Sequence, residues 1–150
     1  MRIEEELNPK IFISYSHDDI DFANKLLNRL ISEGYNLWID VNNIRAREKF
    51  SKEIELGIYE SSIFVSLISK SYITKDFCED EIECAKCFGK ELVPLYIEKV
   101  IIPPGSGYVL SYSRSEVGYG KDIVTEEDFE ALYKGFLEGV ELFIKKGFCK

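Results

Sequence analysis

Lys10-Ile11-Phe12-Ile13-Ser14-Tyr15-Ser16-His17-Asp18-Asp19 is the stretch that decides the fold. A β-branched and aromatic run closed abruptly by polar residues reads as a short, largely buried strand. From Asp18 onward, Ile20, Ala23, Leu26, Leu27, Leu30 and Ile31 recur at spacings of three and four. Gly34 then stands at a C-cap position, so an amphipathic helix follows the strand. The same alternation continues downstream. A second strand is expected over Asn36 to Asp40, and a polar, basic stretch leads into a helix carrying Phe50, Ile54 and Ile58. Ser62 to Ser69 is too apolar for a one-sided strand and suits the centre of a sheet. Ser71 to Asp76 reads as a loop, Phe77 to Phe88 as a short helix ended by Gly89, and Leu92 to Glu98 as a fourth strand. Strands alternating with helices about every 25 residues predict an α/β fold, a central parallel sheet with helices on both faces.

With 150 residues the chain has the size of one domain. Its expected parts are an acidic leader over residues 1–9 and a single domain over 10–150. Within the domain, 99–124 is a Gly- and Pro-containing loop with an edge strand at Tyr108 to Tyr112. Residues 125–147 form a closing helix, with Thr125 and Asp128 as a capping box and Phe129, Leu132, Tyr133, Phe136, Leu137, Val140 and Phe143 as its apolar face. Acidic side chains outnumber basic ones 27 to 19, a formal charge of -8. Such a field repels a phosphate backbone, so nucleic acid is not an expected partner. The start, Met1-Arg2-Ile3-Glu4-Glu5-Glu6, lacks the basic end and apolar run of a secretory signal, and no stretch reaches the roughly 18 apolar residues of a membrane span. A cytoplasmic location, no membrane partner and reduced cysteines are expected. Cys84 and Cys87 have CxxC spacing, but no second pair follows and His17 is remote, so a pair on a helix face is expected rather than a metal site.

In an open parallel sheet ligands collect beyond the carboxyl ends of the strands. That rule selects Ser14 to Asp18, Asp40 to Arg47, and Ser69 to Phe77 with the opening turn of the helix that follows. No glycine-rich phosphate cradle and no GxSxG elbow is present. The strongest constellation is Phe77-Cys78-Glu79-Asp80-Glu81, where a spacing of four puts Phe77 and Glu81 on one helical face. Spacing alone also allows Glu81 to be one more solvated glutamate among Glu79, Asp80 and Glu83.

Four ordered segments resemble the boxes of Toll/interleukin receptor (TIR) domains. Ile11 to Ser16 looks like the family's FISYS box. Leu37-Trp38-Ile39-Asp40 with Ile44 and the basic residues after it resembles the second box and BB loop. Phe77 to Glu81 is similar to the WCxxE motif, and Leu92-Val93-Pro94-Leu95-Tyr96 to the fourth strand. The likeness is closest over residues 10–98. It implies a flavodoxin-like fold, and it implies the branch of bacterial defence enzymes that cleave NAD+ at the nicotinamide–ribose bond by hydrolysis or cyclisation. NAD+ is then a substrate, with no cofactor and no metal. By the same resemblance Glu81 is the catalytic carboxylate, and Ser14, Tyr15, Ser16, His17, Arg45 and Phe77 line the substrate site. The resemblance also implies self-association through the BB loop and other defence proteins as partners.

Two departures stand out. Phe77 replaces the commoner tryptophan, and Arg47 stands where many members have glycine, creating a basic cluster of Arg45, Arg47, Lys49 and Lys52. That cluster reads either as a solvated helix start or as an attractor for the NAD+ pyrophosphate or for an acidic patch on a second subunit. A non-enzymatic TIR–TIR interaction module is the alternative function. A phosphotransfer receiver on the same topology is disfavoured, because the third strand ends in serines where an aspartate is required.

Overall fold

Alternation along β1 (Lys10–Ser14) sends Ile11 and Ile13 into one core and Phe12 into another, so the strand is covered on both sides. A computed structural model describes residues 9–38, 52–74, 79–98 and 125–148. The other strands are β2 (Asn36–Leu37), β3 (Ile63–Ile68) and β4 (Glu91–Tyr96), in the order β2-β1-β3-β4. Every pairing is parallel, with Ile11 opposite Ile63, Ser14 opposite Ser66, and Ile68 opposite Tyr96. This is the strand order with which a flavodoxin-like sheet begins. All six β3 residues are buried, as an interior parallel strand between two helical layers requires.

One layer is formed by α1 (Ile20–Ser32) and α5 (Glu126–Phe148). Ala23, Leu26 and Leu30 join Phe129, Leu132, Tyr133, Phe136 and Val140 against Ile11, Ile13, Val65, Leu67, Val93 and Leu95. The opposite layer holds α2 (Lys52–Glu60), α3 (Lys70–Thr74) and α4 (Glu79–Cys87). Ile54, Ile58, Tyr72, Ile73, Ile82 and Ala85 pack there on Phe12, Phe64, Ile68 and Tyr96. Burial of each large aliphatic or aromatic side chain in these cores contributes roughly 1.5–3 kcal/mol.

Local chemistry sets the helix ends. Ser16 accepts a bond from the Asp18 amide, and a single 3-10 turn, His17–Asp19, precedes α1, so the α-helix begins two residues later than the spacing of apolar residues suggested. Gly34 (φ +88°) and Gly89 (φ +70°) follow α1 and α4 in the left-handed conformation that favours glycine. At the start of α5 the Thr125 amide donates to Asp128 Oδ2 (3.0 Å) and the Asp128 amide to Thr125 Oγ1 (3.1 Å), the reciprocal bonds of a capping box. Arg29 binds Glu130 through both guanidinium ends and Lys25 binds Glu126. The same two cations lie over the rings of Tyr133 and Phe129, so α5 is held to α1 by charge as well as by its apolar face.

Two expectations need correction. Ser71 to Asp76 is not a loop throughout, because α3 occupies Lys70–Thr74. The Ser69 hydroxyl accepts from the Tyr72 amide (3.0 Å) as an N-cap, and burial of Tyr72 and Ile73 outweighs the weak helix preference of a β-branched segment. Regular β2 covers only Asn36–Leu37, although the Trp38 amide still donates to the Ile11 carbonyl (2.9 Å); Ile39 and Asp40 lie outside the described residues. Trp38 stacks on Phe12 at 4.9 Å and closes the core beside α2, the packing role expected of a strand tryptophan. The loop and edge strand expected within 99–124 also lie outside the described residues.

Candidate functional site

β1 ends at Ser14, and Ser14 belongs to the same side of the sheet as Phe12, the side covered by α2, α3 and α4. Ser14 is 1% exposed, so its hydroxyl is too deep to be satisfied by solvent. It finds partners from two helices. Ser14 Oγ donates to Glu81 Oε1 at 3.0 Å, and it lies 3.0 Å from the Tyr72 hydroxyl. Three residues separated by up to 67 positions thus meet at the carboxyl end of the first strand, where the open-sheet rule places ligands.

Glu81 is not a solvated helix glutamate. It is 6% exposed, whereas Asp80 and Glu83 on the same helix face solvent. Its neighbours on the inner face of α4, Ile82 and Ala85, are buried in the core. A carboxylate in such a place has lost most of its hydration and depends on hydrogen bonds from the protein, of which Ser14 supplies one. A carboxylate fixed this way can stabilise positive charge that develops beside it, because little reorganisation remains to be done during reaction.

The loop after β1 is tied to the loop after β3. The Ser69 hydroxyl donates to Asp19 and the Ser71 hydroxyl to Asp18 (3.0 Å), while the Lys70 amide donates to Glu98. Ser69 is fully buried, so its bond to Asp19 braces the mouth of the sheet from inside, while the other two lie at its exposed rim. His17 is exposed on the 3-10 turn, beside the acids expected to be its neighbours. Ser16 is fully buried and caps that turn.

Of the residues expected at the site, the structure brings together Ser14 and Glu81, with Ser16 and His17 on the adjoining turn. Tyr15 packs instead against the core on the opposite side of the sheet, as the two-residue period of a strand dictates for the neighbour of Ser14. Arg45 and Phe77 lie outside the described residues. Tyr72 lies within the Ser69 to Phe77 stretch that the strand-end rule selects but is not singled out there; the signal available is a serine three positions before a tyrosine within Ser69-Lys70-Ser71-Tyr72-Ile73, a cap followed by a residue pair able to face a core.

Cys84 is half-buried and Cys87 exposed on α4, and burial, aided by the nearby Glu55 charge, pushes the Cys84 thiol up. Among the described residues no group of three or more His, Cys, Asp and Glu side chains is placed to hold a metal ion, and no helix is long and apolar enough to cross a membrane.

Comparison with known proteins places this geometry. The TIR domains of the activated Roq1 resistosome that directly recognises the pathogen effector XopQ are similar over 59% of this chain, at 25% identity and a TM-score of 0.48. The chain spans 57% of that protein's length. The Clostridium botulinum CMP N-glycosidase BcmB is similar over 88% of this chain and 98% of its own, at 15% identity and a TM-score of 0.51, a likeness of fold. No curated protein matches the chain. The model of the TIR domain family matches residues 11–130, a span that includes all four strands, the braced loops and Glu81, and the chain therefore belongs to the TIR domain family.

Proposed function

We propose that the protein is an NAD+ nucleosidase that breaks the bond between nicotinamide and ribose, with Glu81 as the carboxylate that makes the break fast. The observation that carries this reading is the burial of Glu81 at the carboxyl end of β1 with Ser14 donating to it. Family membership and the match of Phe77 to Glu81 with the WCxxE box support the assignment.

The chemistry suits a single carboxylate. Nicotinamide is held in NAD+ as a pyridinium and leaves as a neutral pyridine: the glycosidic C–N electron pair goes to the ring nitrogen, and no acid has to protonate the leaving group. The ribosyl centre left behind has oxocarbenium character, and a fixed anion beside it lowers the barrier. Water then adds and loses a proton to give ADP-ribose, or an atom of the same nucleotide adds to give a cyclic isomer. In this reading Phe77 packs on the nicotinamide or ribose, Ser16 and His17 border the nucleotide, and Arg45 meets the pyrophosphate. Assembly through the BB loop completes the site, in a cytoplasmic bacterial defence system.

The alternative, a TIR–TIR interaction module without catalysis, has one observation in its favour: Tyr15 and Ser16, both expected at the nucleotide, are directed into the core and into a cap. The two readings separate in one assay. Protein held at concentrations where it self-associates is incubated with NAD+, and nicotinamide is followed by chromatography, alongside Glu81→Gln and with CMP as a second substrate. Release of nicotinamide that falls by about 10²–10³ in the variant is the expected result. CMP, whose base is uncharged, should be cleaved far more slowly. No release by wild type at any concentration, or an unimpaired variant, overturns the assignment.

A further inference from the structure

We propose that Tyr72 is a positioning residue for Glu81, acting through Ser14; the proposal rests on Glu81 being the working carboxylate. Proton bookkeeping at Ser14 sets the direction of the chain. A serine hydroxyl has one proton to give, and an ionised carboxylate can only accept. With Glu81 in the charged form that stabilises a cation, the Ser14 proton is committed to Glu81 Oε1 at 3.0 Å. The 3.0 Å contact between Ser14 and Tyr72 is then filled by the phenol proton, so Tyr72 donates to Ser14 Oγ. Two hydroxyls in series point toward the anion, and each polarises the next.

The phenol is held where this requires. Tyr72 is fully buried among Phe12, Phe64 and Ile68, and its amide donates to Ser69 Oγ at 3.0 Å. Ser69 in turn donates to Asp19. The brace thus runs from the end of β3 through α3 to the end of β1 and reaches α4, so the orientation of one carboxylate is set by four elements. Tyr72 is buried within the core, and the effect proposed for it passes through Ser14.

The test is a double-mutant cycle on nicotinamide release. Tyr72→Phe keeps the ring and removes only the hydroxyl. It is expected to lower kcat about 10-fold while KM changes less than about 2-fold, as loss of carboxylate orientation without loss of binding surface requires. Ser14→Ala is expected to lower kcat at least as much. The double variant should be no slower than Ser14→Ala, because Tyr72 has no effect to lose once Ser14 Oγ is gone. Multiplicative losses, or a Tyr72→Phe enzyme with wild-type kcat, overturn the proposal.

If wild type releases no nicotinamide, the functional reading falls on its own, and the positioning role is decided by crystal structures. A single Glu81 rotamer in wild type that becomes several in Tyr72→Phe supports the proposal. An identical single rotamer in both overturns it. Far-UV circular dichroism matching wild type shows that each variant is folded.

Discussion

Gly57 sits in the middle of α2, where alanine would ordinarily improve a helix by about 1 kcal/mol. Here the opposite is expected, because a Cβ at Gly57 would stand 2.3 Å from Trp38 Cε2, 2.6 Å from Nε1 and 2.7 Å from Cδ2. Ordinary contact begins near 3.4 Å, so the indole or the helix must move by about 1 Å. Neither moves freely. Trp38 is stacked on Phe12 at 4.9 Å, and Phe12 on Phe64 at 5.3 Å. On the helix, Ile54 and Ile58 are buried on either side of Gly57, and the buried Ser61 hydroxyl donates to the Gly57 carbonyl at 2.7 Å. Overpacking of this kind costs about 1–3 kcal/mol, and a disturbed aromatic stack adds about 0.5–1.5. Set against the helix gain, Gly57→Ala should lose about 0.5–3.5 kcal/mol and melt roughly 1–14 °C lower, given about 2–4 °C per kcal/mol at this size. Trp38 is the protein's one tryptophan, so its emission reports directly on the contact. Urea and thermal unfolding followed by fluorescence and circular dichroism would measure the loss, and adding Trp38→Phe to Gly57→Ala should recover part of it. A Gly57→Ala protein that melts at or above the wild-type temperature with unchanged emission would refute the argument.

Two further predictions concern the seam between α1 and α5. The hydrogen bond from Arg29 holds the Glu130 carboxyl below the usual carboxylate range. A lowered carboxyl contributes stability that is present above its unfolded pKa and is lost as pH falls through its folded one. Wild type should therefore melt above Glu130→Gln near neutrality, with the gap closing in acid; a gap that widens in acid would contradict the assignment. Both groups face solvent, so the effect is small and should shrink further with added salt. Tyr133, 3% exposed, has a buried hydroxyl without a well-formed hydrogen bond among the described residues, and burial, followed by the nearby Glu33 carboxylate, pushes the phenol up. Tyr133→Phe keeps the ring under Arg29 and removes an unsatisfied group, so its melting temperature should equal or exceed that of wild type; a clear drop would reveal a partner for the phenol.

The sheet was readable from the chain because its strands are apolar runs separated by helices with strong three-and-four spacing, and because Gly34 and Gly89 mark helix ends unambiguously. The segment after β3 was misread for a physical reason. Its serines favour turns and its β-branched residues and tyrosine favour strands, and what makes Lys70–Thr74 a helix is the tertiary burial of Tyr72 and Ile73 together with a cap from Ser69. Propensity has no access to either. The same blindness left Tyr72 unmarked within the selected stretch Ser69 to Phe77, since its partner lies 58 positions away on a strand.

Glu81 was singled out by spacing to Phe77 and by resemblance, but the chain held a third signal that bears on its burial. In a helix, residues three and four apart share a face. Glu81 precedes Ala85 by four and adjoins Ile82, the two apolar residues that α4 turns inward, whereas Asp80 and Glu83 fall on the flank left to solvent. An acid on the apolar side of a short helix is costly unless something answers it, and part of the answer comes from a buried hydroxyl at the end of a neighbouring strand. The candidates were few: Ser14, Ser16, Ser66 and Ser69 are the buried serines in or just beyond the carboxyl halves of β1 and β3. Ser14 is the one that donates to Glu81. A serine closing the first strand and a glutamate on the inner face of α4 therefore form one unit: losing the hydroxyl leaves a buried anion short of a donor, and losing the acid leaves a buried hydroxyl without its acceptor.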